Sequence, residues 1–431
     1  MEEPKKVSEA EFARAREEIA SIDEKIAALF EERMLKSGLI ADYKAERGLP
    51  VRDPLREREL TERNAERIKD NRVREVYPAV EEAVMAASRR LQEDRRHPGS
   101  FVSAGGRVHF CRDGAGKLSD FFDTDRKTMI VTDSGVPEKW VSLVASQLPR
   151  HELFRFSAGE ASKSPETLKN LLNALTEKGF TRSDTLLALG GGVVTDLTAF
   201  AAGIWLRGVT CRSIPTTLLA QADAAVGGKN GIDFGGVKNS VGLFRAPETT
   251  LIDPAFLETL DDRQTANGTA EIVKIALALD APLFAALEET GGKVTDGILL
   301  RAVGLKREIV GKDERETSGA RRVLNFGHTL GHGIEIAAGG RLLHGEAVAL
   351  GMLPMTAEGT RKRLTALYEK IGLPLSAEYD PETAFAAMKH DKKAGEEGVT
   401  CVTVGEPGEY AFRTLDEAAL KRLAYGEAVL Q

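Results

Sequence analysis

Apolar positions in the first hundred residues recur every three or four. The stretch EIASIDEKIAALFEERMLKSGLIADYKAE (18–46) sets Ile, Leu and Phe on one stripe, the pattern of a long amphipathic helix. LPVRDP ends it, because Pro50 and Pro54 disfavour helix continuation, and a second helix is expected from about Leu55. A third is expected from about Tyr77 to Glu93. RRHPGSFVSAGG, polar and rich in Pro and Gly, reads as a linker. Beyond it the texture changes. KTMIVTDSGV and DTLLALGGGVVTD are short apolar runs ending in turn residues, and SPETLKNLLNALTEKGF between them has a helical period, with Ser164 as N-cap and Pro165 at N1. Such alternation predicts a parallel sheet covered by helices. After about Asp261 the strands fade and helical patterns dominate. The expectation is a multidomain chain: an all-α three-helix domain (1–96), an α/β Rossmann-like domain (97–260) and an all-α domain (261–431), with a catalytic cleft between the last two.

Composition narrows the class. With 431 residues, 42% hydrophobic and 29% charged, the chain can bury more than one core. A net charge of −7 argues against a nucleic-acid partner, which usually demands a basic excess. Cys111, Cys211 and Cys401 form no CxxC pair, so neither a disulfide framework nor a thiolate zinc site is indicated. No stretch approaches 18 uninterrupted apolar residues and MEEPKK does not begin a secretory signal, so a cytoplasmic protein without membrane contact is expected.

Three segments carry candidate chemistry. NFGHTLGHGIE puts two of only seven histidines, His328 and His332, at i and i+4, hence on one helix face. A metal site and an ordinary solvated face both fit that spacing. LLALGGGVVTD sets Gly190, Gly191 and Gly192 between strand and helix, where backbone amides can approach a pyrophosphate; a tight structural turn fits as well. Asp133, ending MIVTD, stands where a carboxylate can accept from a ribose or close a turn. IPTTLLAQADAAVGGKNGIDFGGVKNSVG combines Lys229 and Lys238 with many small residues, Asp223 and Asn239, which favours an anion pocket over a solvated loop.

In this order, GGGVVTD, LRGV, PTTLLAQADAAVGGKNGID, VKN, GTAEIVK, DERE, LNFGHTLGHGIE, LHGEAVALGM and HDKK resemble 3-dehydroquinate synthase from about residue 100 to the end. The resemblance implies an NAD- and zinc-dependent conversion of 3-deoxy-arabino-heptulosonate 7-phosphate into 3-dehydroquinate and phosphate, with cobalt as an alternative metal. It implies Glu271, His328 and His344 as metal ligands, a set that leaves a coordination position open. His332 is then a proton-transfer group with Glu316. Catalytic or substrate-binding cations are Lys229, Lys274, Lys306, Arg321 and a lysine of HDKK, either Lys392 or Lys393. Asp223, Asn239 and Asn325 bond the substrate, and Arg207 reaches it from a neighbouring subunit, which implies a dimer. For NAD the resemblance points to Asp133, Glu160, Lys163, Gly190, Gly191, Gly192, Asp196, Thr216, Thr217, Lys238 and Asn267. Val237 stands where the family usually has glycine, and one extra residue between DERE and Arg321 leaves Arg321 and Arg322 both as matches.

Residues 8–95 resemble the all-helical chorismate mutases, whose intertwined dimers rearrange chorismate to prephenate without cofactor. The matching positions are Arg16, Arg33, Lys44, Asp53, Arg56, Glu57, Ser88 and Gln92, with Arg33, Lys44 and Gln92 in catalysis and Arg16 acting across the dimer. Arg33 and Lys44 are eleven apart, about three turns, and Gln92 follows Ser88 by four, so each pair shares a face. Three other readings remain: a different sugar phosphate cyclase, making an inosose or valiolone; a metal-dependent polyol dehydrogenase; and a helical front end that serves only dimerisation or regulation.

Overall fold

A computed structural model describes residues 7–47, 49, 51, 53–96, 99–389, 394–395 and 398–430. The chain forms two compact units, Met1–Ser100 and Phe101–Gln431.

The first unit is three helices, α1 (Glu9–Glu46), α2 (Pro54–Glu66) and α3 (Asn71–Arg96). Asp53 caps α2 by accepting from the Arg56 amide at 3.1 Å, with Pro54 at N1. The third helix starts six residues before its expected position because Asp70 accepts from the amides of Arg72 and Val73, at 2.8 and 3.2 Å. Pro78 then lies inside it, removing one hydrogen-bond donor from the ladder. Only the end of α1 packs: Met34, Ser37, Gly38 and Ala41 are buried, as are Glu81, Met85, Ser88 and Gln92 of α3. Residues 9–32 are exposed throughout, including Phe12, Ile19, Ile22, Ile26 and Leu29. An apolar stripe this long on one helix is what a partner helix would cover.

The second unit opens on a seven-stranded sheet built from β1 (Phe101–Ser103), β2 (Gly106–Phe110), β3 (Thr128–Asp133), β4 (His151–Phe156), β5 (Thr185–Gly190), β6 (Thr210–Pro215) and, after the hairpin β7 (Lys229–Phe234) and β8 (Val237–Phe244), β9 (Thr249–Ile252). The order is β1-β2-β9-β6-β5-β3-β4, parallel except for the β1–β2 pair. Strands β3, β5 and β9 are buried along their whole length, as parallel strands covered on both faces must be. Alternate residues feed two cores. Met129, Val131, Leu186 and Ala188 pack with α5 (Pro165–Glu177) and α6 (Gly192–Ile204), whereas Ile130, Leu187 and Leu189 pack with α4 (Glu138–Ala145). Ser164 caps α5 through the Thr167 amide at 3.3 Å, with Pro165 at N1, as its sequence predicts.

From Asp262 onward helices α7 (Asp262–Leu279), α8 (Ala281–Glu289), α9 (Asp296–Lys312), α10 (His328–Ala337), α11 (His344–Met352), α12 (Glu358–Ile371) and α13 (Pro381–Lys389) enclose a third core. This half also holds a three-stranded antiparallel sheet, β10 (Ala394–Gly395), β11 (Gly398–Val404) and β12 (Tyr410–Leu415), before α14 (Glu417–Ala424). The strands go beyond the all-helical expectation. No described helix is long and apolar enough to cross a membrane.

Candidate active site

The chain leaves neighbouring strands β3 and β5 in opposite directions along the sheet, to β4 and to β6, and a crevice at such a switch point is where α/β folds take dinucleotides. Asp133 ends β3 and Gly190 ends β5. Gly190 is required by close approach: a Cβ there would come within 2.5 Å of Val194. Gly191, at the N-cap of α6, offers no side-chain cap, so the first amides of that helix are left for a ligand. Thr216 and Thr217 follow β6 on the same edge; the Thr216 amide donates to the Gly190 carbonyl at 3.0 Å. Asp133 accepts from the Gly135 amide at 2.8 Å, and burial raises its carboxyl above the usual range. Lys163 is buried and donates to Asp196 of α6 at 2.6 Å and to Asn239 of the hairpin. Glu160 is exposed nearby in sequence. The turn of the β7–β8 hairpin needs positive φ at Gly235 and Gly236 (59° and 79°), not at position 237, so valine there meets no backbone obstacle.

The helical half brings three histidines together. His328 opens α10, His332 lies one turn on, and His344 opens α11; a ring nitrogen of each lies within 4.8 Å of the others. Glu271 of α7 faces them, its Oε1 3.9 Å from His328 Nε2 and 3.6 Å from His344 Nε2. Ligand atoms around a tetrahedral zinc stand about 3.3 Å apart, so these separations need little change to close on an ion. The donor chemistry fits too. Glu271 is fully buried and, among the described residues, neither carboxylate oxygen has an aligned hydrogen bond, although the Lys274 ammonium lies against Oε2 as an ion pair. His328 Nδ1 pairs with the Phe326 carbonyl at 3.1 Å, which turns Nε2 toward Glu271. Burial drives the His328 pKa well below the ordinary value, leaving a neutral imidazole.

Close helix packing makes this convergence possible. A Cβ on Gly345 would fall 2.0 Å from the Asn267 carbonyl oxygen, and one on Gly331 would fall 2.9 Å from the Val348 backbone. Asn267 itself is buried and accepts from the Gly345 amide at 2.6 Å, fixing the start of α11 to α7.

Beside the histidines lies a set of charges, of which Lys274, Lys306 and Arg321 are buried and Lys229 is exposed. Lys306 of α9 pairs with Asp223 at 2.6 Å, and Lys274 is 4.0 Å from the same carboxylate. Asp223 projects from a π-helical turn, Ala220–Ala224, a distortion that often marks functional positions. Burial pushes Lys306 down to about 8. Asp223 is held far below the carboxylate range: burial opposes this, but the Lys306 and Lys274 charges outweigh it. Lys229 pairs with Glu316 at 2.7 Å, and Glu316 has a left-handed backbone, φ 58°. Arg321 is buried and Arg322 exposed, so it is Arg321 that enters the cluster. Asp313 arranges this by accepting from the amides of Thr317, Ser318 and Arg321. The Arg321 guanidinium donates to the carbonyls of Gly227 and Glu314, at 3.2 and 3.1 Å. Gly227, with φ 119°, admits it; a Cβ there would lie 2.5 Å from Nη2. Asn325 has a buried Nδ2 with no hydrogen-bond partner among the described residues. Arg207 is exposed on a left-handed turn after α6, and Lys392 and Lys393 lie outside the described residues.

One participant escaped sequence reading. Glu335 accepts from His344 Nδ1 at 3.2 Å and from Lys238 Nζ at 2.6 Å. Burial opposes its ionisation, but His344 and Lys238 hold it down to about 2. Its signal was available: Glu335 follows His328 by seven and His332 by three, on the same face of α10.

In the helical unit, Gln92 Nε2 donates to Ser37 Oγ at 3.0 Å and to Ser88 Oγ at 3.3 Å, and the two serine hydroxyls bond each other. Gln92 Oε1 is buried without a partner among the described residues. Lys44 donates to the Val51 carbonyl at 2.6 Å, and burial lowers its pKa. Glu57 pairs with Arg89 at 2.7 Å. Arg33 is half-buried, whereas Arg16 and Arg56 are exposed.

Comparisons agree with both halves of this picture. Residues 153–267 match the family model for 3-dehydroquinate synthase N-terminal, 268–394 that for 3-dehydroquinate synthase C-terminal, and 15–93 that for chorismate mutase type II. A 3-dehydroquinate synthase of Streptococcus thermophilus is 38% identical over 320 residues, 69% of this chain and 89% of the relative. One from Streptococcus agalactiae is 40% identical over 301 residues, 65% and 84%. Among solved structures, 2-epi-5-epi-valiolone synthase from Streptomyces hygroscopicus, with NAD+ and Zn2+ bound, superposes with TM-score 0.68 at 29% identity, covering 75% of this chain and 97% of that one. A 2-deoxy-scyllo-inosose synthase shares the fold with TM-score 0.69 at 24% identity, covering 76% and 100%. The chain belongs to the 3-dehydroquinate synthase family, and carries ahead of that enzyme a segment of the chorismate mutase type II family.

Proposed function

We propose that this is a bifunctional cytoplasmic enzyme of aromatic amino acid biosynthesis. The second unit converts 3-deoxy-arabino-heptulosonate 7-phosphate into 3-dehydroquinate and phosphate, and the first converts chorismate into prephenate. The observation that carries the synthase reading is the convergence of Glu271, His328 and His344 beside Lys229, Lys274, Lys306 and Arg321. Those three ligands fit zinc, or cobalt in its place, and the edge from Asp133 through Gly190–Gly192 to Thr217, with Lys163, Asp196 and Lys238, fits NAD. When bound, NAD supplies a self-reversing oxidation of a substrate hydroxyl, and the metal polarises that oxygen.

The protein's own side chains hold and order a polyanion. Arg321, whose side-chain hydrogen bonds go to carbonyl oxygens, retains donors for a carboxylate or phosphate. Lys306, Lys274 and Lys229 each stand against a carboxylate already, so the charges are in position before substrate arrives. Asn325 aims an unpartnered amide from the segment just before His328. His332, exposed at the rim, accepts a proton on a ring nitrogen from the substrate, and Glu316 takes part at the Lys229 side.

The test supplies the heptulosonate phosphate with NAD and follows inorganic phosphate and absorbance of NADH. Phosphate release without NADH accumulation is expected over many turnovers. Net NADH would indicate a polyol dehydrogenase, and no phosphate release would indicate another sugar phosphate cyclase.

For the mutase reading, Ser88 and Gln92 on α3 and Arg33 and Lys44 on α1 supply hydrogen-bond donors for a compact dicarboxylate. The bare apolar stripe of α1 supports a dimer in which Arg16 of one copy completes the site of the other. Chorismate consumption by the intact protein should collapse in Arg33→Ala. Unchanged turnover would leave the helical unit a dimerisation or regulatory module.

A further inference from the structure

Glu335 joins two regions assigned to different ligands. Its Oε2 accepts from His344 Nδ1 at 3.2 Å, and its Oε1 accepts from Lys238 Nζ at 2.6 Å. His344 turns its other nitrogen, Nε2, to Glu271 at 3.6 Å. Lys238 belongs to the exposed β7–β8 hairpin, whose neighbouring residue Asn239 bonds Lys163 of the dinucleotide crevice. Glu335 is largely buried, whereas Lys238 keeps more than a third of its side chain in solvent. A ligand arriving at the crevice can therefore draw the lysine away without disturbing the glutamate.

We propose that Glu335 is a positioning residue through which dinucleotide binding at Lys238 and metal binding at His344 strengthen each other. The proposal rests on the NAD and zinc reading above. Its physics is the sign of two charges. A carboxylate hydrogen-bonded to the far nitrogen of a ligating imidazole fixes the ring and makes it a better donor. An ammonium on the same carboxylate drains that effect and adds positive charge near a dication. When the anionic pyrophosphate of a dinucleotide takes Lys238, Glu335 acts on His344 undivided and the metal binds more tightly. By linkage, metal must then tighten the dinucleotide by the same factor.

The experiment is a zinc titration of the full-length apoprotein against a chromophoric chelator, with and without saturating NAD+, in wild type, Glu335→Gln, Lys238→Met and the double variant. Glu335→Gln should weaken zinc by about 10–100-fold. Lys238→Met should do the opposite, tightening zinc severalfold without NAD+ and removing the further gain that NAD+ gives the wild type. A purely structural role for the lysine would instead weaken zinc, because Glu335 would lose its anchor. The double variant should resemble Glu335→Gln alone. If the wild type binds both ligands but Lys238→Met leaves zinc affinity unchanged or lower, the link is wrong and the function reading stands. If the wild type fails to bind zinc or NAD+ at all, the function reading falls and the link with it.

Discussion

In the synthase unit, Lys274, Lys306 and Arg321 are buried within one chain, and the two lysines already face carboxylates of that chain. In the helical unit, Arg16 and Arg56 stand in water, while the buried Ser37, Ser88 and Gln92 form a small polar network. A buried cation must be paired or neutralised, so the first arrangement demands many elements placed together. The second unit meets that demand with helices that meet at glycine and a sheet edge. Three helices enclose far less, and α1 leaves its first 24 residues exposed. Buried and solvent-facing cations thus coexist in one polypeptide.

That contrast can be broken at several points. The largest effect is expected from His328→Ala, which should remove bound zinc and cut phosphate release by about 10³-fold or more, while chorismate turnover is unchanged. Metal analysis alongside both assays checks it; loss of both activities would mean the units are not independent. Arg33→Ala should act in the mirror sense, lowering chorismate turnover by about 10²–10³-fold and leaving phosphate release intact. Gly345→Ala places a methyl group against the Asn267 carbonyl and should cost the synthase unit about 1–3 kcal/mol, visible as a lower melting temperature for one of two calorimetric transitions. The smallest effect concerns pH. Burial pushes the Lys306 pKa down to about 8, and the side chain binds an anion only when protonated. Raising pH from 7 to 9 should therefore reduce phosphate-forming kcat/KM by about tenfold, with its inflection moved upward in Lys306→Arg. Chorismate turnover should not share that inflection.

Much of the synthase site was legible because its chemistry lies in short motifs. The i, i+4 histidines predicted a shared helix face, and α10 presents them so. His344 and Glu271 have no spacing relation to that pair and came only from the family pattern. Glu335 was missed although it lies on the same face, because one carboxylate after an apolar residue carries no motif of its own. Periodicity revealed β3 and β5, each built on an apolar run, and α5, which is well capped, but not β10–β12, where β10 is only two residues and β12 is mostly exposed. The π-helical turn under Asp223 had no local signal; it packs against α6, α7 and α9, elements separate from it along the chain. The early start of α3 is favoured by the Asp70 cap, but a cap of about 1 kcal/mol does not cover a proline cost of about 3 kcal/mol at Pro78, and tertiary packing must supply the rest.

The uncovered stripe from Phe12 to Leu29 has a genetic corollary on the proposed dimer. An Arg16→Ala chain keeps its own Arg33 and lacks only what it lends; an Arg33→Ala chain still lends Arg16. Each is inactive as a pure population, yet a mixed pair contains one complete mutase centre, so co-expressing the two damaged alleles should restore growth that neither supports alone.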